Sequence, residues 1–133
     1  MESYNSSQIT KAKKEESSRK IPASWKRLGP FIGAPTEHVF IGVGNGVCGT
    51  AVAEKRNINV PDVRNVTNYL ACSTETRSEL VILIRSGERI HAQIDIDSHE
   101  VAAFDDQAVA QVQEIADWLA KAYDTRAAAG RRS

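Results

Sequence analysis

Apolar positions are spread unevenly along the chain, and their spacing divides it before any motif is considered. Residues 1–20 carry only Met1, Tyr4, Ile9 and Ala12 as apolar side chains among Ser, Lys and Glu. That is too little apolar surface to offset the entropy of ordering, so residues 1–27 read as a polar basic arm expected to be disordered. Pro22, Gly29, Pro30, Gly33 and Pro35 then punctuate the chain, and the short piece from Leu28 to Ile32 can form only an irregular or edge strand. The folded body is expected over residues 28–124.

Within that body Val39, Phe40 and Ile41 form a strand-like run that ends in the cluster Gly42, Gly44, Gly46 and Gly49. Residues 47–54 suit one short helix. Asn57, Ile58, Asn59 and Val60 alternate like a half-buried strand stopped by Pro61 and Asp62. Residues 64–77 lack clean periodicity and read as a long loop with a helical turn, a length that is uncommon in compact domains and often functional. Glu79 opens the strongest strand, Leu80, Val81, Ile82, Leu83 and Ile84. Residues 85–88 form a hairpin turn, and residues 89–97 return. Val109, Val112, Ile115, Ala116, Leu119 and Tyr123 recur at helical spacing, with Asp105 placed to cap the helix and Phe104 to staple it against Val109. Residues 125–133 are expected to fray.

The 133 residues suffice for one domain. Seventeen basic and 17 acidic residues cancel, but the cancellation is between unlike parts. Residues 1–27 hold 7 basic and 3 acidic side chains, residues 28–124 hold 7 and 14, and residues 125–133 hold 3 and 0. An acidic body argues against a nucleic-acid-binding fold. No apolar run approaches the roughly 20 residues that span a bilayer, and the N-terminus has no signal-peptide core. Two cysteines, Cys48 and Cys72, are too few for a disulfide-dense secreted scaffold, so a cytoplasmic setting with reduced thiols is expected.

Three groups of residues could carry chemistry. Gly44, Gly46 and Gly49 match a G-x-G-x-x-G phosphate fingerprint, with Asp62 at the distance of a ribose-binding acid. The helix that follows is too short and the strands are too few for a doubly wound sheet, so the glycines are better read as allowing positive φ and close packing, with Cys48 held in a turn. Asp95-x-Asp97-x-His99 looks metal-like, but no further ligand has zinc-type spacing and EF-hand residues are missing, so no metal is expected. His38, His91 and His99 are scattered and read as surface or satisfied histidines.

Alternation on the returning strand puts Gln93, Asp95 and Asp97 on one side and Ile94 and Ile96 on the other. That polar face either meets open water or lines a cavity that Glu79 could join. Three carboxylates brought together would repel one another, raise at least one pKa towards neutrality and bind an ammonium group. Cys72, in a loop near Arg77, suits a reactive thiol.

The blocks Leu28-Gly-Pro-Phe-Ile-Gly33, Gly44-Asn-Gly-Val-Cys-Gly-Thr-Ala51, Val60-Pro-Asp-Val63, Leu70-Ala-Cys-Ser73, Thr76-Arg-Ser-Glu79, Ile94-Asp-Ile-Asp-Ser98 and Phe104-Asp105 resemble the GAF domain family, and within it the free methionine-(R)-sulfoxide reductases. The resemblance implies an α+β, GAF-like antiparallel sheet with flanking helices. It implies thiol-dependent reduction of the free amino acid, with Cys72 attacking the sulfoxide sulfur and Cys48 as a second thiol near the pocket. Glu79, Asp95 and Asp97 would hold the substrate and supply a proton. No cofactor is implied, and a thioredoxin-type reductant would close the cycle.

Two departures accompany the resemblance. Thr36, Glu37 and His38 stand where such proteins usually carry a third cysteine. The helix and aromatic strand that usually precede the Leu28 block have no counterpart, so the domain reads as N-terminally shortened. A sheet lacking an inner strand would favour completion by a second copy, a homodimer. The competing expectation is a non-catalytic GAF module that binds a small ligand or senses redox state.

Overall fold

The computed structural model describes residues 25–30, 32, 40–67 and 75–131. Strands β1 (Trp25–Arg27) and β2 (Phe40–Gly42) pair antiparallel, and helix α1 (Gly46–Glu54) follows. Strand β3 (Ile58–Val60), a 3-10 turn (Val63–Asn65) and the long hairpin of β4 (Ser78–Ser86) and β5 (Arg89–Ser98) come next. Helix α2 (Asp106–Arg131) closes the described chain. β3, β4 and β5 form one antiparallel sheet with β4 in the centre.

β4 is central because both of its faces are apolar. Val81 and Leu83 pack with Val47, Cys48 and Ala51 of α1, whereas Leu80, Ile82 and Ile84 pack with Ala116 and Ala120 of α2. A strand covered on both sides needs no polar alternation, which is why the run of five aliphatic residues is uninterrupted. β5 has one such face only. Ala92 and Ile94 turn towards α2, and the alternate residues Gln93, Asp95 and Asp97 fall on the side of α1.

Two glycines set the approach of α1. Gly44 has φ +94°, a conformation that L side chains rarely adopt. A Cβ on Gly49 would lie 2.7 Å from the carbonyl oxygen of Gly42, so the helix can seat against β2 only with a glycine there. Cys48 lies in this helix, not in the turn expected from the glycine cluster. Helix formation from Gly46 places its side chain in the core, 6% exposed.

Asp105 caps α2 as the sequence indicated: its Oδ1 accepts from the Ala108 amide at 2.8 Å. Phe104 and Val109 both pack on the Leu80, Ile82 and Ile84 cluster. Two expectations at the chain ends need correction. Trp25, Lys26 and Arg27, assigned to the disordered arm, form β1, because backbone pairing with β2 orders a segment whose composition alone would not. The last residues do not all fray, since α2 continues to Arg131. Arg126 and the alanines at 127–129 are strong helix formers, and Thr125 Oγ1 donates to the Lys121 carbonyl at 3.0 Å. The rest of the arm, residues 1–24, lies outside the described residues.

Candidate active site

The ladder between β4 and β5 builds the site. Glu79 lies opposite both Val60 of β3 and Asp97 of β5, and Asp95 lies opposite Val81. The three acidic side chains share the face covered by α1, and one carboxylate oxygen of each lies within 4.8 Å of the others. The polar side of β5 is therefore not three carboxylates dispersed in water. It converges on Glu79, at the first position of the apolar run.

Exposure differs sharply within the cluster. Glu79 is 3% exposed, and Asp95 and Asp97 are exposed as residues. Burial pushes the Glu79 carboxyl up from 4.5 to about 10, helped first by the charge of Asp95 and then by its hydrogen bond, with Asp97 and Cys48 adding to the effect. The Asp97 carboxyl ends against Asp95 and Thr76 although the residue as a whole is open to solvent. Lost solvation and then the Asp95 charge raise it from 3.8 to about 6, while Thr76 and His99 act in the opposite direction. At neutral pH the cluster therefore holds a proton donor, Glu79, beside an ionised acceptor, Asp97.

Among the described residues, Oε2 of Glu79 is buried with no hydrogen-bond partner, whereas the Thr76 side chain bonds the Asp97 carboxyl and lowers its pKa. Thr76 is itself 3% exposed. A buried carboxyl oxygen without a partner is uncommon in folded proteins, and it sits here at the centre of the carboxylate cluster. Thr76 was not singled out from the sequence. Its only signal is its place within the Thr76-to-Glu79 block, and nothing in the spacing indicates burial.

Neighbouring bonds hold the cluster in position. The Val63 amide donates to the Arg77 carbonyl at 2.8 Å, and the Arg77 amide donates to the Ser98 carbonyl at 2.7 Å. Ser78, fully buried, donates through Oγ to the Glu100 carbonyl at 2.6 Å. Asp62 accepts from the Arg64 amide and guanidinium, which hold its carboxyl near 2 and close the 3-10 turn.

The remaining candidates separate. Cys48 is a buried thiol packed among Val47, Val81 and Leu83, close enough to Glu79 to affect its ionisation. Cys72 and His38 lie outside the described residues. His99 is exposed, 3.7 Å from Glu75, and is not part of the carboxylate cluster. His91 is a satisfied histidine: it stacks on Tyr123 with ring centroids 5.1 Å apart, and its Nε2 lies 3.0 Å from Ser86 Oγ and 3.2 Å from Asp124.

Residues 25–123 match the model of the GAF domain. The chain belongs to the GAF domain family. Among its relatives are Protein YtsP of Bacillus subtilis, 38% identical over 71% of this chain and 58% of that protein, and the free methionine-R-sulfoxide reductase of Saccharomyces cerevisiae, 42% identical over 59% of this chain and 43% of that protein. The GAF fold is also shared with the X-ray structure of free methionine-R-sulfoxide reductase from Neisseria meningitidis in complex with its substrate. That structure superposes with a TM-score of 0.75 at 33% identity, covering 80% of this chain and 64% of the other. The chain thus spans about half the length of the curated relatives it matches. Among the described residues, no helix of this GAF domain is long and apolar enough to cross a membrane.

Proposed function

We propose that this GAF domain carries out thiol-dependent reduction of free methionine-(R)-sulfoxide. The observation that carries the reading is the pairing, on one sheet face, of a buried protonated carboxyl, Glu79, with an ionised one, Asp97, and their neighbour Asp95. Such a set binds an ammonium group and retains a proton to give away. Relatives and structural neighbours named free methionine-R-sulfoxide reductases support the same chemistry.

In this reading the Cys72 thiolate attacks the sulfoxide sulfur. The S–O bond breaks, the oxygen passes to Cys72 as a sulfenic acid, Glu79 supplies the proton, and methionine leaves. A second thiol then condenses with the sulfenic acid, releasing water and forming a disulfide. Cys48 is the in-chain candidate for that thiol, and a thioredoxin-type dithiol returns the disulfide to two thiols by exchange. Asp95 and Asp97 hold the substrate's amino group. The cycle needs a reducing compartment, in keeping with a cytoplasmic setting. Assembly with a second copy belongs to the same reading: Ile115 and Trp118 on α2 are 54% and 69% exposed, side by side at helical spacing.

Turnover of free methionine-(R)-sulfoxide with dithiothreitol tests the proposal. Wild type should release methionine and Cys72→Ser should not; no turnover from a folded wild-type sample would overturn the reading. The alternative, a GAF module that binds a small ligand or senses redox state, is favoured by a single observation: the chain carries two cysteines only. It predicts a ligand-induced rise in Tm without turnover.

A further inference from the structure

We propose that the outer side of α2 is a self-association surface on which α2 of a second copy lies antiparallel. The inner side of the helix is already committed: Val109, Val112, Ala116, Leu119 and Ala120 pack with Leu80, Ile82 and Ile84 of β4. A second stripe, Ala108, Gln111, Ile115, Trp118, Ala122 and Thr125, runs beside it at alternating spacings of three and four residues, the seam of a coiled coil. The stripe carries no charge, and the Thr125 hydroxyl is spent within the helix on the Lys121 carbonyl. At its centre Ile115 and Trp118 are 54% and 69% exposed. A solvated helix face is normally polar, so this one asks for a cover.

The charges that border the stripe choose the occupant and its direction. Glu114 and Lys121 are both exposed and lie on the same border, two helical turns apart; among the described residues neither forms an ion pair within its own chain. An antiparallel pair related by a two-fold axis brings like borders together. Ile115 then meets the partner's Trp118, Gln111 meets the partner's Ala122, and Ala108 meets the partner's Thr125. In that register Glu114 of each copy faces the partner's Lys121, so both borders carry an attractive pair. A parallel pair is disfavoured by the same residues, because it sets Lys121 beside the partner's Arg126 and Glu114 beside the partner's Leu119.

The stripe and its border are thus complementary to their own reverse. An isologous two-fold contact requires that property, whereas an unrelated partner does not. The partner is the second copy named with the proposed reaction, but the interface uses none of the residues of the carboxylate cluster and stands or falls apart from the chemistry.

Sedimentation equilibrium of the full chain tests the proposal. A reversible dimer is expected with a Kd of about 10⁻⁵ M, because one helix pair lies at the small end of interface sizes. Trp118→Glu, at a side chain already open to solvent, should weaken the dimer by at least about a hundred-fold while circular dichroism stays as in wild type. Lys121→Glu should weaken it by about ten-fold, since two attractive pairs become repulsive, and Glu114→Lys combined with Lys121→Glu should restore the affinity of wild type. A parallel pair predicts the opposite for Lys121→Glu alone, which would then be drawn to the partner's Arg126. A monomer at every concentration up to about 500 μM would overturn the proposal. So would a folded Trp118→Glu protein that dimerises like wild type, or tighter association of Lys121→Glu. Dimerisation of a protein with no turnover would support this interface and sink only the enzymatic reading; turnover by a protein that stays monomeric would do the reverse.

Discussion

Glu79 and Asp97 face each other directly across the β4–β5 ladder, one buried and the other open to solvent. Like charges at such a pair repel, so the pair is stable only while Glu79 keeps its proton. A carboxyl whose pKa is higher folded than unfolded contributes stability that is complete below its unfolded value and lost as pH rises through its folded value. For Glu79 the window runs from 4.5 to about 10, and for Asp97 from 3.8 to about 6. Stability should therefore decline from mildly acid to alkaline pH, by at most about 1.4 kcal/mol per pH unit for each proton involved. Urea titrations at a series of pH values check this. Glu79→Gln, neutral at every pH, should flatten the alkaline part of the decline; a curve parallel to wild type would show that Glu79 does not hold the proton.

Substrate affinity should follow Asp97, not Glu79. Below about pH 6 Asp97 becomes neutral, and in the proposed reaction it then no longer holds the substrate's ammonium group. KM for free methionine sulfoxide should then rise by about ten-fold per pH unit, the slope of a single protonation. Asp97→Asn should have a high KM that no longer depends on pH in this range. Steady-state kinetics between pH 5 and pH 8 decide the matter.

Gly49→Ala should destabilise the domain by about 1–3 kcal/mol, the usual range for overpacking a tight contact. The added methyl meets the Gly42 backbone, which cannot swing aside as a side chain would. Gly29→Ala, with open space around it, should change little. Thermal melts of the two proteins provide the comparison.

Asp105→Ala should cost about 1 kcal/mol, because the Ala108 amide loses its side-chain cap at the start of α2. Asp105→Ser should recover most of that loss. Hydrogen exchange at the first turn of α2 should speed up in the alanine variant and remain near wild type in the serine one.

The elements that could be read from the sequence are those whose signal is local. The alternation of Gln93, Asp95 and Asp97 against Ile94 and Ile96 placed the polar face of β5, and the capping pattern at Asp105 placed the start of α2. The convergence on Glu79 could only be raised as an option, because it depends on the register of two strands and not on either strand alone. Thr76 went unseen because its burial comes from tertiary packing that no spacing records. Trp25, Lys26 and Arg27 look like part of a solvated arm until β2 pairs with them. The short helix over residues 47–54 is legible from its composition, but not that its first turn carries Cys48 into the core.

The aliphatic run of β4 has a consequence for the chain before it folds. Leu80, Val81, Ile82, Leu83 and Ile84 combine high β-propensity with no charge and no proline, the composition of segments that stack into cross-β fibrils. In the native domain α1 and α2 cover this segment on both faces. In the unfolded chain its flanks, Glu79 and Arg85, are the guards against stacking. There Glu79 returns to its ordinary ionisation and is charged at neutral pH. The same carboxyl that is kept neutral inside the fold is an anionic gatekeeper outside it, so replacing it with an uncharged residue carries a risk of aggregation during synthesis that no measurement on the folded protein would reveal.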